Sequence, residues 1–407
     1  MKLPVYMDNH ATTQVDPRVV EAMFPYFTEH FGNAASHQHL FGWNAEEAVE
    51  KARRLIAESI NAESKEIIFT SGATESNNLA LKGVAEAYRQ KGNHIVTSKT
   101  EHRSILDVCG TLERTGFRVT YLDVDECGRV NPNDVRHAVN GNTTIVSIMM
   151  ANNEVGTVAP VAEIGTICLE RGVFFHTDAT QCAGRLPIDV QKLNVHLLSF
   201  SAHKVYGPKG IGALYVRGKN PRVHLSPQID GGGHERGLRS GTLNVPAIVG
   251  FGKVMELASE HLVNETEHLM LLRNQLEQSL LAVEGARVNG HRIERLCNNI
   301  SVTFPYVRAD DLMMALRNEV AISSGSACSS AERESGKTSH VLNAMGIDDE
   351  LARCTVRIGL GRFNTEEEVV YAGKKIAAAV AELRRTSPTY QMNKDTVMSG
   401  NTPIDHS

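Results

Sequence analysis

The chain has 407 residues, with 42% hydrophobic and 22% charged residues, the balance of a soluble globular protein with room for one large domain and a smaller one. A net charge of -5 without a long basic run gives no basis for nucleic-acid binding. No apolar run approaches the roughly 20 residues that cross a bilayer, and Met1-Lys2-Leu3-Pro4-Val5 lacks the apolar core of a signal peptide.

A cytoplasmic protein without a membrane partner is therefore expected. Its seven cysteines are odd in number, scattered and free of any C-x-x-C pair. That pattern argues against a disulfide framework and a closed zinc site, and for thiols in a reducing compartment.

From about residue 45 helical and strand-like segments alternate. Ala48, Ala52, Leu55 and Ile56 recur at helical spacing. Short apolar runs follow at Ile67-Ile68-Phe69, Ile95-Val96, Val119–Leu122, Ile145–Ile148, Val173-Phe174-Phe175 and Leu197–Phe200, most of them separated by enough chain for a helix. Such alternation predicts an α/β fold with a doubly wound, mostly parallel sheet. A long helical pattern starts near Val245 and passes Leu280, bridging towards a second unit. Later strands are expected at Asn299–Val302 and Thr355–Ile358, and a closing helix over Glu366–Arg385. The expected division is a large domain over 15–262, a smaller α+β domain from 1–14 and 263–386, and a polar, mobile tail over 387–407.

In open α/β sheets ligands bind beyond the carboxyl ends of the strands. The unusual polar residues of this chain fall at such ends. Ser71-Gly72-Ala73-Thr74 follows the first run, and His102 lies shortly after Ile95-Val96. Asn153 follows the run ending at Met150, and Asp178 and Gln181 follow Val173–Phe175. Ser201, His203 and Lys204 follow Leu197–Phe200. Five strand ends thus deliver a base, an acid, a lysine and hydroxyls to one crevice. Ser71–Ser76 alone reads first as a plain helix cap, and the other strand ends shift the preference to a small-residue turn whose free amides hold a phosphate. Lys204, in a turn bounded by Gly207-Pro208, suits a Schiff-base lysine. Asp178, 26 residues earlier, is the carboxylate that a pyridoxal ring needs at its nitrogen.

These stretches closely resemble the cysteine desulfurases of the NifS/IscS type, within the class V aminotransferase group of fold-type I pyridoxal-phosphate enzymes. The resemblance runs from about Val5 to about Ser387. It includes Ser71–Asn78, Lys99-Thr100-Glu101-His102, Asn152-Asn153-Glu154, Asp178-Ala179-Thr180-Gln181 and Ser201-Ala202-His203-Lys204. It continues with Gly231–Arg236, Arg239-Ser240-Gly241-Thr242 and Ser323–Cys328. The resemblance implies that Lys204 carries pyridoxal 5'-phosphate and later moves the substrate α-proton. It implies that Asp178 pairs with the ring nitrogen, Gln181 bonds the ring hydroxyl and His102 stacks on the ring. Ala73, Thr74, Ser201 and His203 would bind the phosphate, with Thr242 reaching in from the other subunit of a homodimer. Asn153 and Arg357 would hold the carboxylate of L-cysteine, a task suited to a guanidinium fork.

Cys328 stands in the small-residue run Ser323–Ser330, inside about 14 residues without periodicity. The resemblance implies that its thiolate takes the substrate sulfur as a persulfide, leaving alanine, and passes it to an iron–sulfur scaffold protein and other acceptors. No resident metal is implied, beyond Cys328 as a transient iron–sulfur ligand. Two departures from the family pattern are His10, where relatives carry serine or asparagine, and the acidic–basic stretch Glu332-Arg333-Glu334. Rival readings are selenocysteine lyase or another class V enzyme, and a non-catalytic assembly platform. Cys328 disfavours plain transamination, which needs no protein thiol. The intact Lys204, Asp178 and His102 disfavour the platform.

Overall fold

The computed structural model describes residues 1–325 and 338–392. Strand β1 (Val5–Tyr6) opens the chain. Seven strands form the large sheet: β2 (Ile67–Thr70), β3 (His94–Ser98), β4 (Arg118–Leu122), β5 (Thr143–Ser147), β6 (Phe174–Asp178), β7 (Leu197–Ser201) and β8 (Gly212–Val216). A four-stranded sheet is built from β9 (Arg287–Asn289), β10 (Asn299–Thr303), β12 (Ser323–Ser324) and β13 (Thr355–Gly359). The remaining strand, β11 (Val320–Ala321), pairs in parallel with β1.

The large sheet runs in the order β2-β8-β7-β6-β5-β3-β4. Pairings from β7 through to β4 are all parallel, whereas β8 is antiparallel to both β7 and β2. The chain fold is thus the mixed α/β architecture expected, and β8 is the strand of the large sheet that the apolar runs did not single out. Between β7 and β8 the chain holds only a short 3-10 turn, Ala202–Lys204. So short a connection cannot cross over, and β8 must return antiparallel.

Helices cover both faces of this sheet, which is why its central strands are buried throughout. Side chains alternate between two apolar layers. Phe69, Val96, Val146, Phe175, Leu198 and Phe200 enter one, while their neighbours Ile68, Ile95, Ile145, Phe174 and Leu197 enter the other. A separate core forms around the small sheet, from Ile300, Val302, Val356 and Ile358 with Ile376 and Val380.

The helix Val245–Leu281 runs 37 residues, about 55 Å at 1.5 Å per residue. It has no break at the expected boundary near residue 262. Its first part, including Phe251 and Val254, packs on the large-sheet core, and its last part, including Leu272 and Leu276, on the small-sheet core. The segment expected to be a mobile tail from Ser387 begins instead with a short helix, Pro388–Met392. Tyr390 anchors it, with its ring 5.9 Å from that of Tyr306 and beneath the Arg384 guanidinium. Residues 393–407, and with them the rest of that expectation, lie outside the described residues. Among the described residues no helix is long and apolar enough to cross a membrane.

One buried ion pair fixes the segment ahead of the long helix. Glu235 accepts two bonds from Arg53, at 2.7 and 2.8 Å, and a third from the Phe69 amide at 2.7 Å. These bonds hold Glu235 and Arg236 at φ 48° and 59°, a left-handed pair that costs about 1–2 kcal/mol per residue. Glu235→Ala would strip the buried Arg53 guanidinium of its buried counter-charge, leaving only the more exposed Glu50 carboxylate at 2.9 Å. Its urea unfolding should show a loss of about 3–5 kcal/mol, and a loss below about 1 kcal/mol would contradict this account.

Candidate active site

A cavity of about 520 Å³ opens at the carboxyl ends of the large-sheet strands. Ala73, Thr74, His102, Asn153, Asp178, Gln181, Ser201, His203 and Lys204 all line it. Arg357 sits immediately behind, donating from Nη1 to the Asn153 carbonyl at 3.1 Å. Thr242 is exposed and does not line the cavity. Cys328, like Glu332-Arg333-Glu334, lies outside the described residues.

After β2 the chain turns at Gly72, with φ 154° and ψ 177°, a conformation open essentially to glycine alone. No side chain caps the helix Ala73–Ala87 that follows. Its first intrahelical bond runs from the Ser76 amide to the Gly72 carbonyl. The amides of Ala73, Thr74 and Glu75 precede that bond, and an uncapped helix leaves such groups open to an anion. Nearby, the His203 imidazole makes a 3.1 Å bond to Thr12 Oγ1. Burial, with the charges of Lys204 and Lys209, pushes it down to about 4. It is therefore neutral at ordinary pH and can act as a donor to an anion without bringing charge.

Lys204 ends the 3-10 turn after β7. Its Nζ donates to the carbonyls of His10 at 2.5 Å and Ala11 at 2.7 Å. Asp178 ends β6, where the Thr180 amide donates to Oδ1 at 2.9 Å and Asn77 Nδ2 to Oδ2 at 2.8 Å. The same Asn77 nitrogen lies 2.8 Å from Ser104 Oγ, which is 2.8 Å from His102 Nδ1. The Ser104 amide also donates to Nδ1, at 3.1 Å. That nitrogen is an acceptor, so in neutral His102 the proton sits on Nε2. The Arg357 side chain is 1% exposed. It donates from Nε to Ser323 Oγ at 3.1 Å and from Nη2 to Asp8 Oδ1 at 3.2 Å.

Asn77 and Ser104 carry no role in the sequence reading, although Asn77 falls inside the stretch Ser71–Asn78. A signal was present. Asn77 stands four residues before Leu81 on the buried stripe of its helix, and a buried amide there must find polar partners.

This constellation fits pyridoxal phosphate. The open helix end offers amides for a phosphate, Asp178 a carboxylate for the ring nitrogen, and Lys204 an amine within the same cavity. A family model for class V aminotransferases matches residues 5–371. The chain belongs to that family, a class of pyridoxal-phosphate enzymes. Within it, the chain is 56% identical over 398 residues to the cysteine desulfurase IscS of Anaeromyxobacter sp. (strain Fw109-5), covering 98% of this chain and 97% of that protein. It is 52% identical to the cysteine desulfurase IscS of Neisseria gonorrhoeae, covering 97% and 96% respectively. Among solved structures, a NifS-like protein matches with a TM-score of 0.86 and 41% identity, over 93% of this chain and 100% of that one.

Among the described residues two lysines, Lys204 and Lys209, line the cavity. Only Lys204 is placed at the end of a central strand. Borohydride reduction of the cofactor-loaded protein should attach the cofactor to the Lys204 peptide. Recovery of the label on Lys209 would overturn that assignment.

Proposed function

We propose that this chain, a pyridoxal-phosphate-dependent cysteine desulfurase, takes sulfur from L-cysteine onto its own Cys328 and passes it to acceptor proteins, chiefly an iron–sulfur scaffold in the cytoplasm. The observation that carries the cofactor chemistry is the meeting of Lys204, Asp178 and His102 at three strand ends of one cavity. Pyridoxal phosphate, when bound, supplies an electron sink for charge released at the substrate α-carbon.

The chain's own residues do the rest. Arg357 uses three of its five N–H groups on Asp8, Ser323 and the Asn153 carbonyl, which leaves two for a substrate carboxylate. Asn153 closes the same corner. Lys204 Nζ takes the α-proton, and His102, with its proton on Nε2, lies in the same cavity as an acid–base group. The Cys328 thiolate then attacks the substrate sulfur. A sulfur–sulfur bond forms as the substrate Cβ–S bond breaks, and the remaining carbon skeleton takes up protons to leave as alanine.

The other six cysteines support this choice of thiol. Cys109, Cys168, Cys182, Cys297 and Cys354 are buried, Cys127 is half-buried, and none lines the cavity. Burial is the leading cause in every case and pushes each thiol up, to about 12 for Cys109 and Cys168. Such thiols are poor sources of the thiolate nucleophile. One solved relative, described as SspA in complex with cysteine, matches with a TM-score of 0.78 and 38% identity over 89% of this chain and 100% of that one. The cavity here, at about 520 Å³, is of a size to take a small amino acid.

A homodimer completes the reading. Phe24, Phe27, Phe31, Leu40, Phe41 and Trp43 are all more than half exposed, and the Phe31 and Phe41 rings lie 5.4 Å apart. So dense an apolar surface is what a second copy would cover. Thr242, exposed on its own chain, would then reach the partner's phosphate site. Sedimentation of the cofactor-loaded protein should show a dimer, and an active monomer would refute this arrangement.

Cys328→Ser separates desulfuration from every other chemistry on this fold. A serine hydroxyl supplies almost no anion near neutral pH, so the variant should still bind the cofactor yet lose alanine production by orders of magnitude. Wild-type protein given cysteine should gain the mass of one sulfur on the Cys328 peptide, removable by a reductant. Near wild-type alanine formation by the variant would rule out Cys328 as the acceptor.

A further inference from the structure

His10 takes no part in the chemistry above, although it lines the cavity and is only 1% exposed. Its Nδ1 lies 3.0 Å from Gln181 Oε1. An amide oxygen can only accept, so Nδ1 carries the proton. The carbonyl of the same residue accepts from Gln181 Nε2 at 3.2 Å. His10 thus contacts both ends of the Gln181 amide, with opposite polarity. Turning the amide over would set N–H against N–H at one end and oxygen against oxygen at the other. One Nε2 hydrogen is spent on His10, which leaves the second for the cavity.

Three further observations bear on this pairing. His10 Nε2 is buried without a hydrogen-bond partner, and an unsatisfied buried group is costly to keep. A histidine kept for packing alone would do better with both nitrogens satisfied. The ring's seat is also specific. A Cβ at Gly359, two residues beyond Arg357 on β13, would stand 2.6 Å from His10 Cδ2. Finally, burial, with the charges of Arg357, Arg185 and Lys204, holds the imidazole well below its usual range. It stays neutral, in the one tautomer that donates to Gln181.

We propose that His10 is a positioning residue acting through Gln181: it locks the amide so that a hydrogen faces the ring oxygen of the bound cofactor. This rests on the cofactor reading above. A donor at that oxygen stabilises its negative charge most when the neighbouring lysine–cofactor imine has lost its proton. The donor therefore lowers the imine pKa, and misplacing it raises that pKa.

The test is an absorbance titration of the imine, which needs no turnover. His10→Ala should raise the imine pKa by about one pH unit, the size of one hydrogen bond to a charged group. His10→Asn keeps an amide nitrogen close to the Nδ1 position and should restore most of the shift. Gln181→Ala should raise the pKa alone, and adding His10→Ala to it should change nothing further. An unchanged pKa in His10→Ala, or additive shifts in the double variant, would overturn the role of His10. A wild-type protein without the visible imine band would overturn the cofactor reading itself. Should His10→Ala fail to fold, nitrogen NMR of histidine-labelled wild-type protein decides. The expected signal is the Nδ1–H tautomer without titration between about pH 5 and 8, and the opposite tautomer would refute the proposal.

Discussion

Setting a half-buried lysine, a buried aspartate and a buried arginine around one cavity is tolerable only if each finds polar partners within the protein. Lys204 finds the carbonyls of His10 and Ala11, Asp178 finds Asn77 and the Thr180 amide, and Arg357 finds Asp8, Ser323 and the Asn153 carbonyl. Two of these three sets draw on the segment just after β1. That segment is therefore part of the site as well as part of the fold. It is held on one side by β11 and Gly359 and on the other by bonds from Thr13 to the His203 carbonyl. Val5 and Met7 ahead of it belong to the small-sheet core and Val19 beyond it to the large-sheet core, so Lys204 and Arg357 share one set of anchors.

The strand ends were legible because their signal is local. Each apolar run ends in a residue that has no place in a core, and parallel topology collects those residues at one edge. Lys204, Asp178, Gln181, His102 and Thr74 follow from that rule together with the resemblance. What stayed hidden depends on contacts far apart in the chain. Asp8 meets Arg357 across 349 residues, and Asn77 meets Asp178 across 101. No periodicity encodes such a pairing. β8 did carry a local signal, the apolar run Ile211–Val216, and the short preceding turn accounts only for its antiparallel direction. The short helix Pro388–Met392 has too few residues to show a period, and packing of Tyr390 decides it.

The Asn77–Ser104–His102 chain illustrates how a generic scaffold is tuned. An amide nitrogen has two hydrogens, and Asn77 aims one at Asp178 and one at Ser104. A carboxylate and an imidazole on opposite sides of one helix end are thereby held to a common reference. His10 and Gln181 do the same on the other flank of Lys204. In both cases a supporting side chain hydrogen-bonds one that lines the cavity, and hydrogen bonds of this kind hold a site residue's orientation to within about half an ångström.

The division between generic and particular chemistry then falls along the chain. A lysine, a ring-nitrogen carboxylate and an open helix end serve any reaction that begins by labilising an α-proton, transamination and selenocysteine cleavage included. Removing sulfur asks for a nucleophile that survives as a thiolate, and burial works against that in each of the six described cysteines. A core suppresses a thiol for the same reason that it stabilises the fold: it excludes the water that would solvate an anion. The acceptor proposed above, Cys328, stands apart from these six, among the small and polar residues of Ser323–Ser330. Fold stability and sulfur chemistry make opposite demands on cysteine, and the proposed use of Cys328 would meet them by keeping the two in different segments.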